Sequence, residues 1–299
     1  MRKEILDSVG RTILALCVLL AAITTASANP IIYGSAYNGQ VSPASTLYSI
    51  SPTNGVATPI GPIGFNHVGA IDFGPNGVLY GTGITTGGTN VLLRINTATG
   101  AGTVVGPTGL GAMDWFQDIS FRPSDGTLFG LTGGLLYTLN ITTGAATLVG
   151  NTGQFASSEG NGLAFSPTNI LYHEENFFPG GTPQSLYTVN QSTAALTFVE
   201  NLNTSAFPPP YFGEPPKVNG MDFDPLTGIL WASVVTGTGP INGTNYLGTI
   251  NIGTGVVSNI GTSIRGLDAI AVTNIPEPAT WLLFGSGLAA LGLNRRKRA

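Results

Sequence analysis

Residues 119–150 read ISFRPSDGTLFGLTGGLLYTLNITTGAATLVG, and four short apolar segments stand out in them. The first, A, is Ile119-Ser120-Phe121, a small apolar stretch ending in an aromatic. Pro123-Ser124-Asp125-Gly126 follows it and has the composition of a tight turn. Segment B is Leu128-Phe129. Segment C, Leu136-Tyr137-Thr138-Leu139-Asn140, alternates as a half-buried strand does. Thr142-Thr143-Gly144 makes a second tight turn, and segment D, Thr147-Leu148-Val149-Gly150, ends the unit.

The unit recurs in both directions along the chain, with a period of about 45 to 60 residues. A returns as Ile71-Asp72-Phe73, Leu163-Ala164-Phe165 and Met221-Asp222-Phe223. B returns as Leu79-Tyr80, Leu171-Tyr172 and Leu230-Trp231. C begins at Leu92, Leu186 and Leu247 and ends each time in Asn (Asn96, Asn190, Asn251). D returns at Thr103–Gly106, Thr197–Val199 and Val257–Gly261. The chain ends hold a fifth, divided copy. Ile270-Ala271-Val272 is an A segment with nothing after it, and Ile32-Tyr33-Gly34 is a B segment with nothing before it. Leu47–Ser51 and Thr58–Gly61 then serve as C and D. Five copies of a four-strand unit, one shared between the ends, predict an all-β, five-bladed β-propeller closed by its termini. Four unequal strands per period argue against a β-helix, and the divided copy argues against an open array of sandwiches. At pattern level, residues 31–272 resemble low-density-lipoprotein-receptor-type propellers and several bacterial secreted propeller families.

Loop lengths separate two faces. The A–B and C–D links are tight, whereas the D–A and B–C links are long, as at 174–184 and 201–218. In a propeller the two long classes share one face, and variable loops carry function. That face holds Trp115, Phe116, Phe155, Phe177, Phe178, Phe207, Tyr211 and Phe212. Two readings stay open for them: plugs that seat the loops on the blades, or platforms that stack on sugar rings. For the ligand reading the candidates are Trp115, Phe116, Phe178, Tyr211 and Phe212. Pro208-Pro209-Pro210 reads as a stiff strut.

Four positions before the last residue of each A segment stand Gln117, Asn161, Asn219 and Asp268, with Gly69 in the remaining copy. Inner strands line a propeller's channel, so these residues form a polar ring, with Glu159 near it. Glu159, Asn161, Asn219 and Asp268 offer the oxygens that Ca²⁺ prefers. The plainer reading is a water-filled channel. Gluconolactonase-type propellers carry a similar acid-and-amide metal site, and that resemblance keeps a metal-dependent hydrolase or lyase as the alternative function. Asp72 and Asp222 are expected to accept turn amides. His67 and His173 lie in different copies, and the one cysteine is Cys17, so Zn clusters and Cys/His dyads find no support.

Residues 29–278 carry four cations against thirteen carboxylates, a net charge of −9, which disfavours nucleic acid as a partner. The ends differ in composition. Arg2, Lys3 and Arg11 flank the apolar stretch 13–23, and Ala26-Ser27-Ala28 is a small-residue cleavage site, so 1–28 reads as a signal peptide. Cys17 lies inside it, leaving no thiol in the mature chain. Residues 29–274 are the propeller domain.

Residues 275–299 run from a rigid Pro276-Glu277-Pro278 through an uncharged stretch, 279–293, to Arg295, Arg296, Lys297 and Arg298. As a helix the 15-residue stretch spans about 22 Å, a short transmembrane segment, with the basic cluster fixing its end in the cytoplasm. This order resembles the PEP-CTERM sorting signal of Gram-negative bacteria. The resemblance implies a membrane peptidase partner, exosortase, that cuts at Pro276-Glu277-Pro278, in cells that make exopolysaccharide. The protein is then expected to be held in the inner membrane before processing and to reach the cell surface or exterior afterwards. Its propeller is expected to act as a binding or structural module, with exopolysaccharide as the ligand class.

Overall fold

The computed structural model describes residues 29–36, 45–111, 114–154, 162–175, 184–208, 215–237 and 243–274. The expected signal peptide and the sorting signal, with its transmembrane run, lie outside these residues. Among the described residues there is no helix long and apolar enough to cross a membrane.

The strands follow the segments. β1 (Ile31–Ala36), β2 (Thr46–Ile50) and β3 (Ala57–Pro62) come first. β4 (Asn66–Phe73), β5 (Leu79–Ile84), β6 (Asn90–Ile95) and β7 (Gly102–Pro107) are the next A to D set. β8 (Asp118–Phe121), β9 (Leu128–Thr132), β10 (Leu135–Leu139) and β11 (Ala146–Asn151) follow. Then come β12 (Leu163–Phe165), β13 (Leu171–Glu175), β14 (Ser185–Val189) and β15 (Leu196–Asn201). β16 (Lys217–Phe223), β17 (Leu230–Thr236), β18 (Thr244–Ile250), β19 (Val257–Thr262) and β20 (Leu267–Thr273) end the body. They form five four-stranded antiparallel sheets, the blades of a β-propeller, four of them in plain chain order. The remaining sheet runs β20-β1-β2-β3, with Ile31 opposite Thr273 and Gly34 opposite Ile270. The inner strands pack in sequence: β4 on β8, β8 on β12, β12 on β16, β16 on β20 and β20 on β4.

The repeated aromatics hold blade to blade. Each B aromatic meets the terminal A residue of the next blade: Tyr33 on Phe73 at 5.5 Å, Tyr80 on Phe121 at 5.3 Å, Phe129 on Phe165 at 5.4 Å and Tyr172 on Phe223 at 5.5 Å. In the fifth junction Trp231 shares a buried cluster with Val272. Such aromatic pairs add about 0.5–1.5 kcal/mol each beyond area burial.

The Asn that ends segment C has a local cause. Its side-chain oxygen accepts the amides of the following turn, as Asn96 does from Ala98 (2.9 Å) and Thr99 (3.1 Å), and Asn140 from Thr142 (2.8 Å) and Thr143 (3.0 Å). The turn then needs a positive φ, supplied by Gly55, Gly100, Gly144 and Gly255, and by Ala194 in the fourth copy.

All five C–D pairs shift register at the same place, from Leu47/Tyr48 to Leu247/Gly248. A bulge there twists the outer edge, which discourages pairing with another chain. Behind the bulge, Gly150 approaches the turn of the next blade so closely that a Cβ would meet Thr193 O at 2.5 Å. Gly61, Gly106 and Gly261 repeat that approach on the turns at Thr99, Thr143 and Asn54.

Candidate functional site

The inner strands enclose a channel whose levels can be read off the aligned copies. At the long-loop end stand Asn219 and Asp268, and Asn219 Nδ2 points at Asp268 Oδ1 across 3.5 Å. Gly69 faces the same carboxylate, where a Cβ would sit 2.8 Å from Asp268 Oδ2. Asp268 is half-buried by area, yet the low-dielectric walls hold its pKa at about 7. Glu159 and Asn161 lie outside the described residues. One carboxylate and one amide, with the amide nitrogen turned inward, fall short of the six to eight oxygens that Ca²⁺ takes. Among the described residues no three His, Cys, Asp or Glu side chains are grouped to hold a metal.

Beside this mouth, the Trp115 ring stacks on His67 at 5.4 Å and 24°. His67 has φ 46°, a strained left-handed conformation for a residue with a side chain. The neighbouring peptide groups fix it: Val68 donates its amide to Ser45 Oγ at 3.0 Å, and its carbonyl accepts from Ser35 Oγ at 2.6 Å. Strain held in this way collects at functional sites. Burial lowers the His67 pKa, so the ring is neutral at pH 7.

Phe116 corrects the sequence reading. It is 1% exposed, in a cluster with Ile119, Phe121 and Leu128, and offers no face to a ligand. The reason is Gly130, whose missing side chain makes room for the ring: a Cβ there would lie 2.7 Å from Phe116 Cδ1. Phe207 is also core, packed edge-on against Tyr246 at 5.5 Å. Trp115 is half-buried. Phe155, Phe177, Phe178, Tyr211 and Phe212 lie outside the described residues, as do Pro209 and Pro210.

One level down, the aligned residues are Ala70, Asp118, Gly162, Gly220 and Ala269. Asp118 alone has a long side chain, and it is 1% exposed. Its Oδ2 accepts the amides of Leu163 (2.9 Å) and Met221 (3.3 Å), and Oδ1 accepts Ile119 N–H at 2.9 Å. One carboxylate therefore ties three inner strands together. Sequence reasoning missed it. The available signal was a single acid in a column otherwise of Ala and Gly.

Asp72 and Asp222 sit lower still and correct a second expectation. They accept strand amides, not turn amides. Asp72 takes Phe73 N–H on Oδ1 and Phe121 N–H on Oδ2, both at 2.6 Å, while Asp222 Oδ2 takes Val272 N–H at 2.6 Å. Ser120 does the same for Phe165 N–H at 2.9 Å. Burial pushes Asp72 up to about 7 and raises Asp118 and Asp222, which also repel Asp72 and one another.

Below them the channel opens, on the tight-turn face, into a vestibule of about 300 Å³. Asp72, Asp222 and Ser120 line it with Phe73, Phe121, Phe165, Phe223 and Val272, and Pro75, Pro123, Pro167 and Pro225 also border it. Arg122 is there too, but its guanidinium is held by Asp125 at 2.6 Å. Loop lengths alone point to the opposite face.

Residues 274–298 match the PEP-CTERM protein-sorting motif. No curated protein matches the sequence. The chain is similar in fold to a crystallised nidogen/laminin complex at 12% identity and TM-score 0.50, covering 82% of this chain and 98% of that one. TolB from Acinetobacter baumannii is similar at 12% identity and TM-score 0.49, over 83% of this chain and 57% of that one. The PQQ-bound aldose sugar dehydrogenase of Streptomyces coelicolor gives 13% identity and TM-score 0.42, over 82% and 89%.

Proposed function

We propose that this is an exported protein, cleaved by exosortase at Pro276-Glu277-Pro278, whose propeller serves at the cell surface or in the extracellular matrix as a module that binds exopolysaccharide. Residues 1–28 direct export, and the apolar run 279–293 with its basic tail holds the precursor in the inner membrane until cleavage. The β1–β20 pairing locks the ring.

The sorting motif supports the route, and one observation carries the ligand class. The half-buried Trp115 ring stacks on His67, two residues before Gly69, and Gly69 faces Asp268, which Asn219 approaches in turn at the long-loop mouth. An aromatic face takes the apolar side of a sugar ring, while a neighbouring carboxylate and amide take its hydroxyls.

A panel of immobilised polysaccharides tests the reading. Trp115→Ala and Asp268→Asn should each weaken binding about tenfold, the scale of losing one good stacking or charge-assisted contact. Thr99→Ala, in a C–D turn, should leave it unchanged. No binding by the wild type, or equal binding by Trp115→Ala, refutes the ligand assignment. Glu277→Ala should leave an uncleaved precursor in the inner membrane, and normal processing of that variant refutes the route.

A further inference from the structure

The vestibule on the tight-turn face plays no role in that reading, yet it is a formed cavity with a defined chemistry. Its volume of about 300 Å³ is at the lower end of small-molecule sites. Its walls are apolar: Phe121, Phe165, Phe223 and Val272 are buried side chains that turn their last exposed surface to it. Its floor carries two carboxylates, Asp72 and Asp222, each 7% exposed. Among the described residues neither makes an ion pair, and Asp118 lies behind them as a third acid.

The contacts that the two carboxylates do make leave them short of positive charge. They receive backbone amides and the Ser120 hydroxyl, which satisfy some of the roughly four lone-pair sites of each group but bring no net charge. Arg122, the cation that lines the cavity, is committed to Asp125. An anion would meet repulsion here, and a neutral apolar molecule would cover both carboxylates without answering them. A metal ion would lack a third ligating side chain among the described residues. A cation with an apolar body suits both surfaces, because aromatic walls attract positive charge as well as alkyl groups.

We propose that the vestibule binds a small primary aliphatic ammonium, its –NH₃⁺ set against Asp72 and Asp222 and its alkyl chain against Phe121, Phe165 and Phe223. The ammonium supplies three donors for the free lone pairs of the floor. No bond is made or broken, and the occupant is held by charge, hydrogen bonds and apolar contact.

The test is a titration of the full chain in detergent micelles at pH 9, above the value of about 7 to which burial pushes Asp72, with n-butylammonium chloride, read by calorimetry, beside n-butanol as the uncharged analogue. Saturable binding of n-butylammonium is expected, with n-butanol at least about tenfold weaker. Asp222→Asn, which keeps an oxygen for the Val272 amide, should weaken n-butylammonium about tenfold. Thr143→Ala, on the outer rim, should not change it. Equal affinity for the two probes, no saturation by n-butylammonium, or undiminished binding to Asp222→Asn overturns the proposal. Should Asp222→Asn fail to fold, Asp72→Asn takes its place, and the wild-type contrast between the probes remains decisive. Polysaccharide binding is read at the other mouth with other variants, so either proposal can fail without the other.

Discussion

Asp118 offers the sharpest test of how the ring is held. Its carboxylate accepts three amides, those of Ile119, Leu163 and Met221, from three successive inner strands. Asp118→Ala leaves all three donors in a site without water-accessible surface. Each buried unsatisfied amide costs about 1–3 kcal/mol, so the loss should be about 3 kcal/mol even at the low end. Against a typical total of about 5–15 kcal/mol that is a large fraction. Asp118→Asn separates lone pairs from charge. It keeps one oxygen for the Leu163 and Met221 amides and removes a carboxylate that burial and its neighbours disfavour. It should therefore cost about 1–3 kcal/mol, less than Asp118→Ala, because a single donor, the Ile119 amide, is left facing an –NH₂ group. Urea unfolding followed by tryptophan fluorescence gives both values, with Trp115 and Trp231 as reporters inside the body. Wild-type stability in Asp118→Ala would refute the idea that the three inner strands depend on this side chain. An Asn variant as damaged as the Ala variant would show that the negative charge itself is required.

The channel acids also set a pH dependence. Asp72 and Asp268 sit at about 7 and Asp118 and Asp222 are raised, so the native state keeps protons that the unfolded chain has lost. Stability should then fall as pH climbs from about 4 toward about 7, by about 1.4 kcal/mol per unit of displacement for each such acid. Asp125 and Asp224 are lowered and act only below that window; a urea midpoint that rises from pH 4 to 7 contradicts the assignment. Deleting Ile31–Gly34 strips four register partners from β20 and removes the buried Ile32 and the Tyr33–Phe73 contact. At roughly 1.5–3 kcal/mol per buried side chain the body should be grossly destabilised, and an unchanged melting temperature would mean that the ends do not close the ring. Phe116→Ala should cost about 3–5 kcal/mol as a core truncation, against a small effect for Trp115→Ala; equal melting temperatures would contradict its burial.

The blade architecture was legible because each blade repeats the same short-range demands. Leu-Tyr and Leu-Phe pairs, terminal Phe residues and the Asn before each C–D turn are local signals, and the contacts they make recur at successive junctions. The channel was not legible in the same way. Its level at Asp118 depends on Gly162 and Gly220, each approached too closely by the next strand to accept a side chain: a Cβ on Gly162 would meet Met221 Cγ at 2.7 Å. Only the ring brings those residues together. Phe116 was misread because a loop aromatic beside Trp115 looks exposed until Gly130 is placed under it. The Trp115–His67 stack rests on a positive φ at His67, which no sequence pattern announces. The vestibule arises from five strand ends converging, a property of no single repeat.

The pairing of Ile31 with Thr273 also fixes how the body answers mechanical load. Pulled apart at those two residues, β1 and β20 would unzip pair by pair, each pair bearing the force alone. A load that enters at Thr273 and leaves through a distant blade runs along β20 instead. It then shears all six pairs from Ile31↔Thr273 to Ala36↔Leu267 at once, with β4 and β16 gripping the same strand from either side. For a load applied at Thr273, the strand that bears the tension is the one most fully clasped.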